Sequence, residues 1–357
     1  MKGIKTSLAA LAMAVTVTAG AHAADKMKAA WIYVGPTGDM GWSYQHDLGR
    51  LAVEKALGDK VQTTKVESVP ETADSERVLT KLAQDGNKII FATSFGYMNP
   101  VIKVAGDFPK TYFEHATGFK RADNVSTYAI RFYEGRVVQG FLAGKLTKSG
   151  IIGYVCPVPI PEVVSGIDAF TIALHKVRPD AKVKIVYVND WYDPGKEAAA
   201  AKALIAQGAD VIAQHTDSPA PVQTAEQAGL WSFGQSSDMA KFGPTHEITA
   251  NVDNWNDYYI QEVKAALDGT WKSHDIWGGL STGMLSMPPL NENVPADIRA
   301  QATQLLADVE SGKVKAFAGP IVDTNGKEQV AAGKELTDDQ ILGLNWYVQG
   351  VEGDLSH

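Results

Sequence analysis

The strongest constraint on this chain is a rhythm: short apolar runs of strand length alternate with helical stretches, and the series occurs twice. Lys28–Gly35 (KAAWIYVG) is an apolar run ended by Gly-Pro, the pattern of a buried strand. Gly41–Leu57 follows as a helix, with Tyr44, Leu48, Leu51 and Leu57 returning at roughly helical spacing. Val61–Val66, Lys88–Thr93, Thr111–His115 and Val125–Arg131 read as further strands, with helices over Glu71–Asp85 and Asn99–Gly106. The series then restarts. Strands are expected at Gly150–Val155, Val183–Val188, Val211–Gln214 and Trp231–Gly234, with helices over Gly135–Lys145, Val163–Lys176, Pro194–Gln207 and Val222–Ala228. Helices over Tyr258–Leu267 and Pro295–Ser311 complete the pattern. Such alternation implies parallel sheets covered on both faces. The expected class is α/β, with two doubly wound parallel-sheet lobes whose strand C-termini meet at a shared cleft.

Charge narrows the partners. Lys and Arg number 33 against 41 Asp and Glu, a net charge of -8, which disfavours nucleic acid and anionic membranes because both require a basic face. The single Cys156 leaves no internal disulfide framework and no Cys-rich metal site, and is expected to be a small buried residue. At the N-terminus, Lys2 and Lys5 precede an almost uncharged run from Thr6 to Gly20, then Ala21-His22-Ala23. That order is a secretory signal over residues 1–23, too short in its apolar part for a membrane anchor. Without a Cys near the cleavage point no lipid anchor is expected, and the chain is assigned to the periplasm.

Catalytic signatures are missing from the sequence: no G-x-S-x-G elbow, no Gly-rich phosphate loop, no H-E-x-x-H. The eight His show no ligand-type spacing, so no metal site and no cofactor are expected. Asp190 and Asp193 offer a carboxylate pair, but capping of the helix at Pro194 explains Asp193 more simply. Aromatics at strand exits say more. Asp39-Met40-Gly41-Trp42, Phe95-Gly96-Tyr97 and Asp190-Trp191-Tyr192-Asp193 each follow a strand. Large rings beside carboxylates at a sheet edge suit a flat heterocycle or a sugar, with stacking worth about 1–3 kcal/mol per face.

Four segments then carry a family resemblance: GDMGWSYQHDLG (Gly38–Gly49), RFYEGRVVQGFLAG (Arg131–Gly144), YVNDWYDPGKEAAAAKALIAQGADVI (Tyr187–Ile212) and the stretch Phe233–Asp238. Together they resemble the basic membrane protein (BMP) family, purine-nucleoside-receptor-like solute-binding proteins of ABC importers, over about Met27 to Pro289. The resemblance implies a type I periplasmic-binding-protein fold with two lobes, a three-stranded hinge and a ligand between the lobes. Residue by residue, the purine-clamping aromatics fall on Trp42 and Trp191, and the leading carboxylate of the first motif falls on Asp39, two residues before Gly41. The base-facing carboxylate after the fourth strand falls on His115, or on Glu114 if the match slips by one. The ribose anchors differ: Ser236 stands for the family's Asp, and Asp253 for its Lys. A site without ribose partners points to a free base, adenine being favoured. Asp217 or Asp253 is expected to accept a purine N–H, with Tyr97 and His115 beside them.

The expected lobes are residues 25–131 with about 254–282, and residues 132–253 with about 283–357. The expected action is binding by hinge closure for a membrane ABC permease, by a monomer that makes and breaks no bond. A purine nucleoside, a sugar or a sensory role are the alternatives.

Overall fold

The computed structural model describes residues 26–353 together with Leu355. The expected signal segment lies outside the described residues. The first half runs β1 (Met27–Ile32), α1 (Trp42–Leu57), β2 (Val61–Val66), α2 (Ala73–Gln84), β3 (Ile89–Ala92), α3 (Met98–Asp107), β4 (Tyr112–Ala116) and β5 (Val125–Ile130). The second runs α4 (Phe132–Leu146), β6 (Ile151–Cys156), α5 (Pro161–His175), β7 (Lys182–Tyr187), α6 (Pro194–Ala206), β8 (Val211–Gln214), α7 (Ala220–Gln227), β9 (Trp231–Gly234) and β10 (Glu247–Ala250). The remainder supplies β11 (Val252–Asp253), α8 (Asn256–Asp268), β12 (Asp275–Gly278), β13 (Leu285–Ser286), α9 (Ala296–Glu310), β14 (Ile321–Val322), β15 (Glu328–Val330), α10 (Asp338–Leu342) and β16 (Val351–Glu352).

These strands form two six-stranded sheets, ordered β12-β5-β4-β3-β1-β2 and β10-β9-β8-β6-β7-β16, and every pairing within them is parallel. Each sheet is therefore a doubly wound lobe. The chain passes between them after β5, between β10 and α8, and again between β12 and β13, where β11 and β13 pair antiparallel. Three edge strands escape the sequence rhythm: β10 at Glu247, β12 at Asp275 and the two-residue β16. Each is too short, or too polar at its ends, to show as an apolar run, and each is recruited by a neighbouring strand edge.

Buried aromatics fill the first lobe. Trp31 on β1 stacks on Phe91 of β3 at 4.6 Å between centroids, and Tyr259 of α8 leans on both. In the second lobe α4 lies so close to α5 that a Cβ on Gly140 would stand 2.0 Å from the Phe170 carbonyl oxygen. The helices approach backbone to backbone, a distance only glycine permits. Gly140→Ala is expected to push them apart and lower the unfolding free energy by roughly 1–3 kcal/mol in urea denaturation. An unchanged midpoint would show that the helices have slack at this crossing.

Candidate functional site

The cleft between the lobes is assembled from loops at the C-terminal ends of both sheets. On the first lobe, α1 begins at Trp42, and Asp39 caps it. The Asp39 carboxylate accepts from the backbone N–H of Gly41 at 2.9 Å, Ser43 at 2.9 Å and Tyr44 at 3.0 Å. These are orphan donors of a helix N-terminus, which a carboxylate satisfies well. Burial nonetheless pushes Asp39 up to about 6. The cap fixes where Trp42 starts, and the Trp42 ring is then held from several sides. Its Nε1 donates to the Thr93 carbonyl at 2.6 Å, and its edge meets His46 at 4.3 Å and Trp255 at 5.6 Å.

The opposing wall comes from the loops after β6, β7, β8 and β9. Trp191 follows β7; its carbonyl accepts from Asp217 N at 3.0 Å, and its Nε1 donates across the cleft to Glu71 at 3.2 Å. The lobes touch at two more places. Ser237 Oγ donates to the Met40 carbonyl, and Gly41 lies so near the Asp217 backbone that a Cβ would stand 2.1 Å from its oxygen.

Between these contacts is a cavity with an empty volume of about 320 Å³. Val34, Trp42, Ser94, Phe95 and Thr117 line it from the first lobe, and Glu162, Trp191, His215, Asp217, Gln235 and Ser236 from the second. Its polar groups are poorly paired by the protein itself. Asp217 Oδ2 has no hydrogen-bond partner, and burial, aided by Asp39 and Glu197, pushes this carboxyl well above the usual range. Burial also raises Glu162 to about 8, although its side chain keeps 18% of its surface. His215 Nε2 lies 3.6 Å from Glu162, its Nδ1 is unpartnered, and burial holds the ring neutral. Gln235 Oε1 accepts from Arg136, while its Nε2 donates to Ser236 Oγ at 3.3 Å.

Of the expected site residues, Trp42, Trp191, Asp217 and Ser236 meet at this cavity. Asp39 and Gly41 stand behind it as cap and lobe contact. Tyr97 does not reach the wall: it is fully buried, its hydroxyl donates to the Val69 carbonyl at 2.5 Å, and Phe95 takes the place at the cavity. His115 is likewise buried behind Ser94, whose carbonyl its Nε2 contacts at 2.8 Å; burial drives this imidazole down to about 4. Glu114, the alternative to His115, points into the lobe, where Tyr258 and Trp271 donate to it at 2.6 and 2.7 Å. Asp253 is 1% exposed with neither oxygen hydrogen-bonded; burial first, then Glu162, pushes its carboxyl well up, against an opposing Ser236 hydroxyl and Arg136.

Sequence reasoning names Phe95 among the strand-exit aromatics but takes Tyr97 for the ligand, and it passes over Thr117, Glu162, His215 and Gln235. Each follows a strand C-terminus, so the rule that places ligands there is the signal that would have found them. Asp190 and Asp193 form no reactive pair: Asp193 caps α6 through Lys196 N at 3.0 Å, and both carboxylates pair with Lys196 Nζ. Away from the cleft, Glu114, Glu262 and His274 bring ligand atoms within 4.8 Å of one another. Both Glu114 oxygens already accept hydrogen bonds there, from Tyr258 and Trp271, and burial raises both carboxyls.

Residues 26–314 match the family model for ABC transporter substrate-binding proteins described as PnrA-like. The chain belongs to the Bmp family. It is 53% identical over 335 residues to a purine-binding protein of Brucella abortus (strain 2308), covering 94% of this chain and 95% of that one. It is 35% identical over 336 residues to a putative ABC transporter glucose-binding protein of Haloferax volcanii, covering 94% and 83%. Among solved structures it resembles an ABC transporter solute-binding protein from Aeropyrum pernix K1, with TM-score 0.71 and 19% identity over 82% of this chain and 94% of that one. One from Conexibacter woesei aligns with TM-score 0.63 and 21% identity, over 81% and 98%. Those two likenesses concern the fold, the type I periplasmic-binding-protein architecture. As a Bmp protein the chain is an extracytoplasmic solute-binding subunit that works with a membrane permease, and it is not an enzyme.

Two outcomes follow from this geometry. Gly41→Ala is expected to leave each lobe folded but to hold the lobes apart, weakening ligand binding at least about tenfold. Small-angle scattering with and without ligand reads this directly; ligand-induced compaction equal to wild type would refute it. The second concerns pH. Glu162 rises from 4.5 to about 8 on folding, so its contribution to stability is full below about pH 4.5 and is lost as pH rises through about 8. Melting of the ligand-free protein should therefore weaken from about pH 6 to 8, and Glu162→Gln should reduce that slope.

Proposed function

We propose that this Bmp protein binds a free purine base, adenine favoured, between its lobes and presents the closed form to its permease. What carries the reading is that Trp42 and Trp191 reach one small cavity from opposite lobes, beside an unpartnered buried carboxylate, Asp217. Indole surfaces offer a planar heterocycle stacking worth about 1–3 kcal/mol each. Asp217 Oδ2 supplies an acceptor for a base N–H, and a group of this kind discriminates strongly against analogues that leave it unpaired. The 53% identical relative is itself named as purine-binding.

Base is favoured over nucleoside by the residues at the sugar positions. Ser236 and Asp253 stand where the family's ribose anchors are matched, and Asp253 is absent from the cavity lining. Ligand that touches both lobes stabilises the closed arrangement over the open one, which couples binding to recognition by the permease.

Calorimetric titration with adenine, guanine, hypoxanthine, adenosine and glucose tests the assignment. A free base should bind more tightly than its nucleoside. A nucleoside bound more tightly than the base would overturn the ribose argument, and binding of glucose alone would overturn the purine reading. Trp42→Ala and Trp191→Ala should each weaken base binding by about ten- to a hundredfold, from the stacking lost. Wild-type affinity in both folded variants would place the ligand elsewhere.

A further inference from the structure

The side-chain amide of Gln235 has chemically opposite ends, Oε1 accepting and Nε2 donating. Which end is free at the cavity decides what a ligand must bring. Behind the wall stands Arg136 of α4, fully buried and without a carboxylate in ion-pair range among the described residues. Its Nη1 donates to Gln139 Oε1 at 2.6 Å; its Nη2 donates to the Gln214 carbonyl at 2.8 Å and to Gln235 Oε1. A guanidinium carries donors and no acceptor, so turning the Gln235 amide around would set N–H against N–H. The Oε1 end is thereby committed to Arg136. Nε2 makes one long bond, 3.3 Å to Ser236 Oγ, which leaves its second hydrogen unused.

We propose that Arg136 is a positioning residue that fixes Gln235 as a hydrogen-bond donor at the cavity. Together with the Asp217 acceptor, this sets a two-part requirement: the ligand presents one acceptor, a ring nitrogen or carbonyl, and one N–H donor to the loops after β8 and β9. Both loops leave neighbouring strands of one sheet, since β8 pairs with β9. A purine base carries both groups on its ring edges, whereas an isolated hydroxyl network as in a sugar has no fixed order of donors and acceptors to match. The inference rests on the purine reading and goes further, because it names the residue that selects among bases.

The test is a titration of the purified protein with adenine and with 1-deaza-, 3-deaza- and 7-deazaadenine, each lacking one ring acceptor. One analogue should bind wild type at least about tenfold more weakly than adenine, since it leaves a buried donor unpaired. In Gln235→Glu the new carboxylate pairs with Arg136 but has no N–H to offer. Adenine should weaken at least about tenfold, and the penalty for that one analogue should vanish. In Arg136→Met the amide is free to turn, so the penalty should shrink while adenine still binds. Should Arg136→Met fail to fold, Gln235→Glu decides alone, because it keeps the guanidinium partnered. Adenine binding with the same analogue penalties in wild type and Gln235→Glu overturns this assignment only. Wild type that binds no adenine overturns the purine reading and this inference together.

Discussion

The closed cleft depends on an approach of two backbones that leaves no room for a side chain. Gly41 at the start of α1 meets the Asp217 carbonyl of the opposite lobe, and the neighbouring Met40 carbonyl accepts from Ser237. Because this contact lies at the N-terminus of the helix that carries Trp42, lobe position and ring position are set by one local structure. Asp39 ties that structure together through three backbone donors. A methyl group at Gly41 has no room beside the Asp217 carbonyl oxygen, so it could be accommodated only if the two backbones moved apart.

The second organising feature is electrostatic. Burial pushes up the carboxyls of Glu162, Asp217 and Asp253 at the cleft, although Glu162 keeps some exposure, and Arg136 is a buried cation that makes no direct ion pair with them among the described residues. Unpaired carboxylates in such a place favour their protonated forms or demand donors. Under the proposed purine reading a ligand meets some of that demand, which makes binding energy and selectivity two aspects of one arrangement. The histidines His115 and His215 fit the same logic: burial lowers both imidazoles, and His115 braces the strand end through its contact with the Ser94 carbonyl.

The two lobes were legible because several strands, β1 and β6 among them, are apolar runs closed by Gly or Pro, and the intervening segments return apolar residues at helical spacing. The strands at Asp275, Glu247 and Val351 were not, since a short edge strand is defined by the neighbour it pairs with rather than by its own composition. Of the cavity-lining residues, Trp42, Trp191 and Asp217 could be named from strand exits and motif resemblance. Tyr97 and Phe95 illustrate the limit. They sit two residues apart in one short helical turn, and which of the two faces the cleft depends on the turn's rotation and on the Val69 carbonyl that receives the Tyr97 hydroxyl.

The sequence by itself determined the class of fold, the presence of two sheets and the family to which the chain belongs, because periodicity and motif spacing are local properties. Only the tertiary structure decided which groups line the cavity. Glu162 in the first turn of α5, His215 after β8 and Gln235 with its buried Arg136 are far apart along the chain, and nothing in their local sequence marks them as neighbours. Parallel strands bring such residues together at one edge, and the angle between lobes then selects which side chains meet. That selection is a sum of long-range contacts, and it has no signature in any single window of residues.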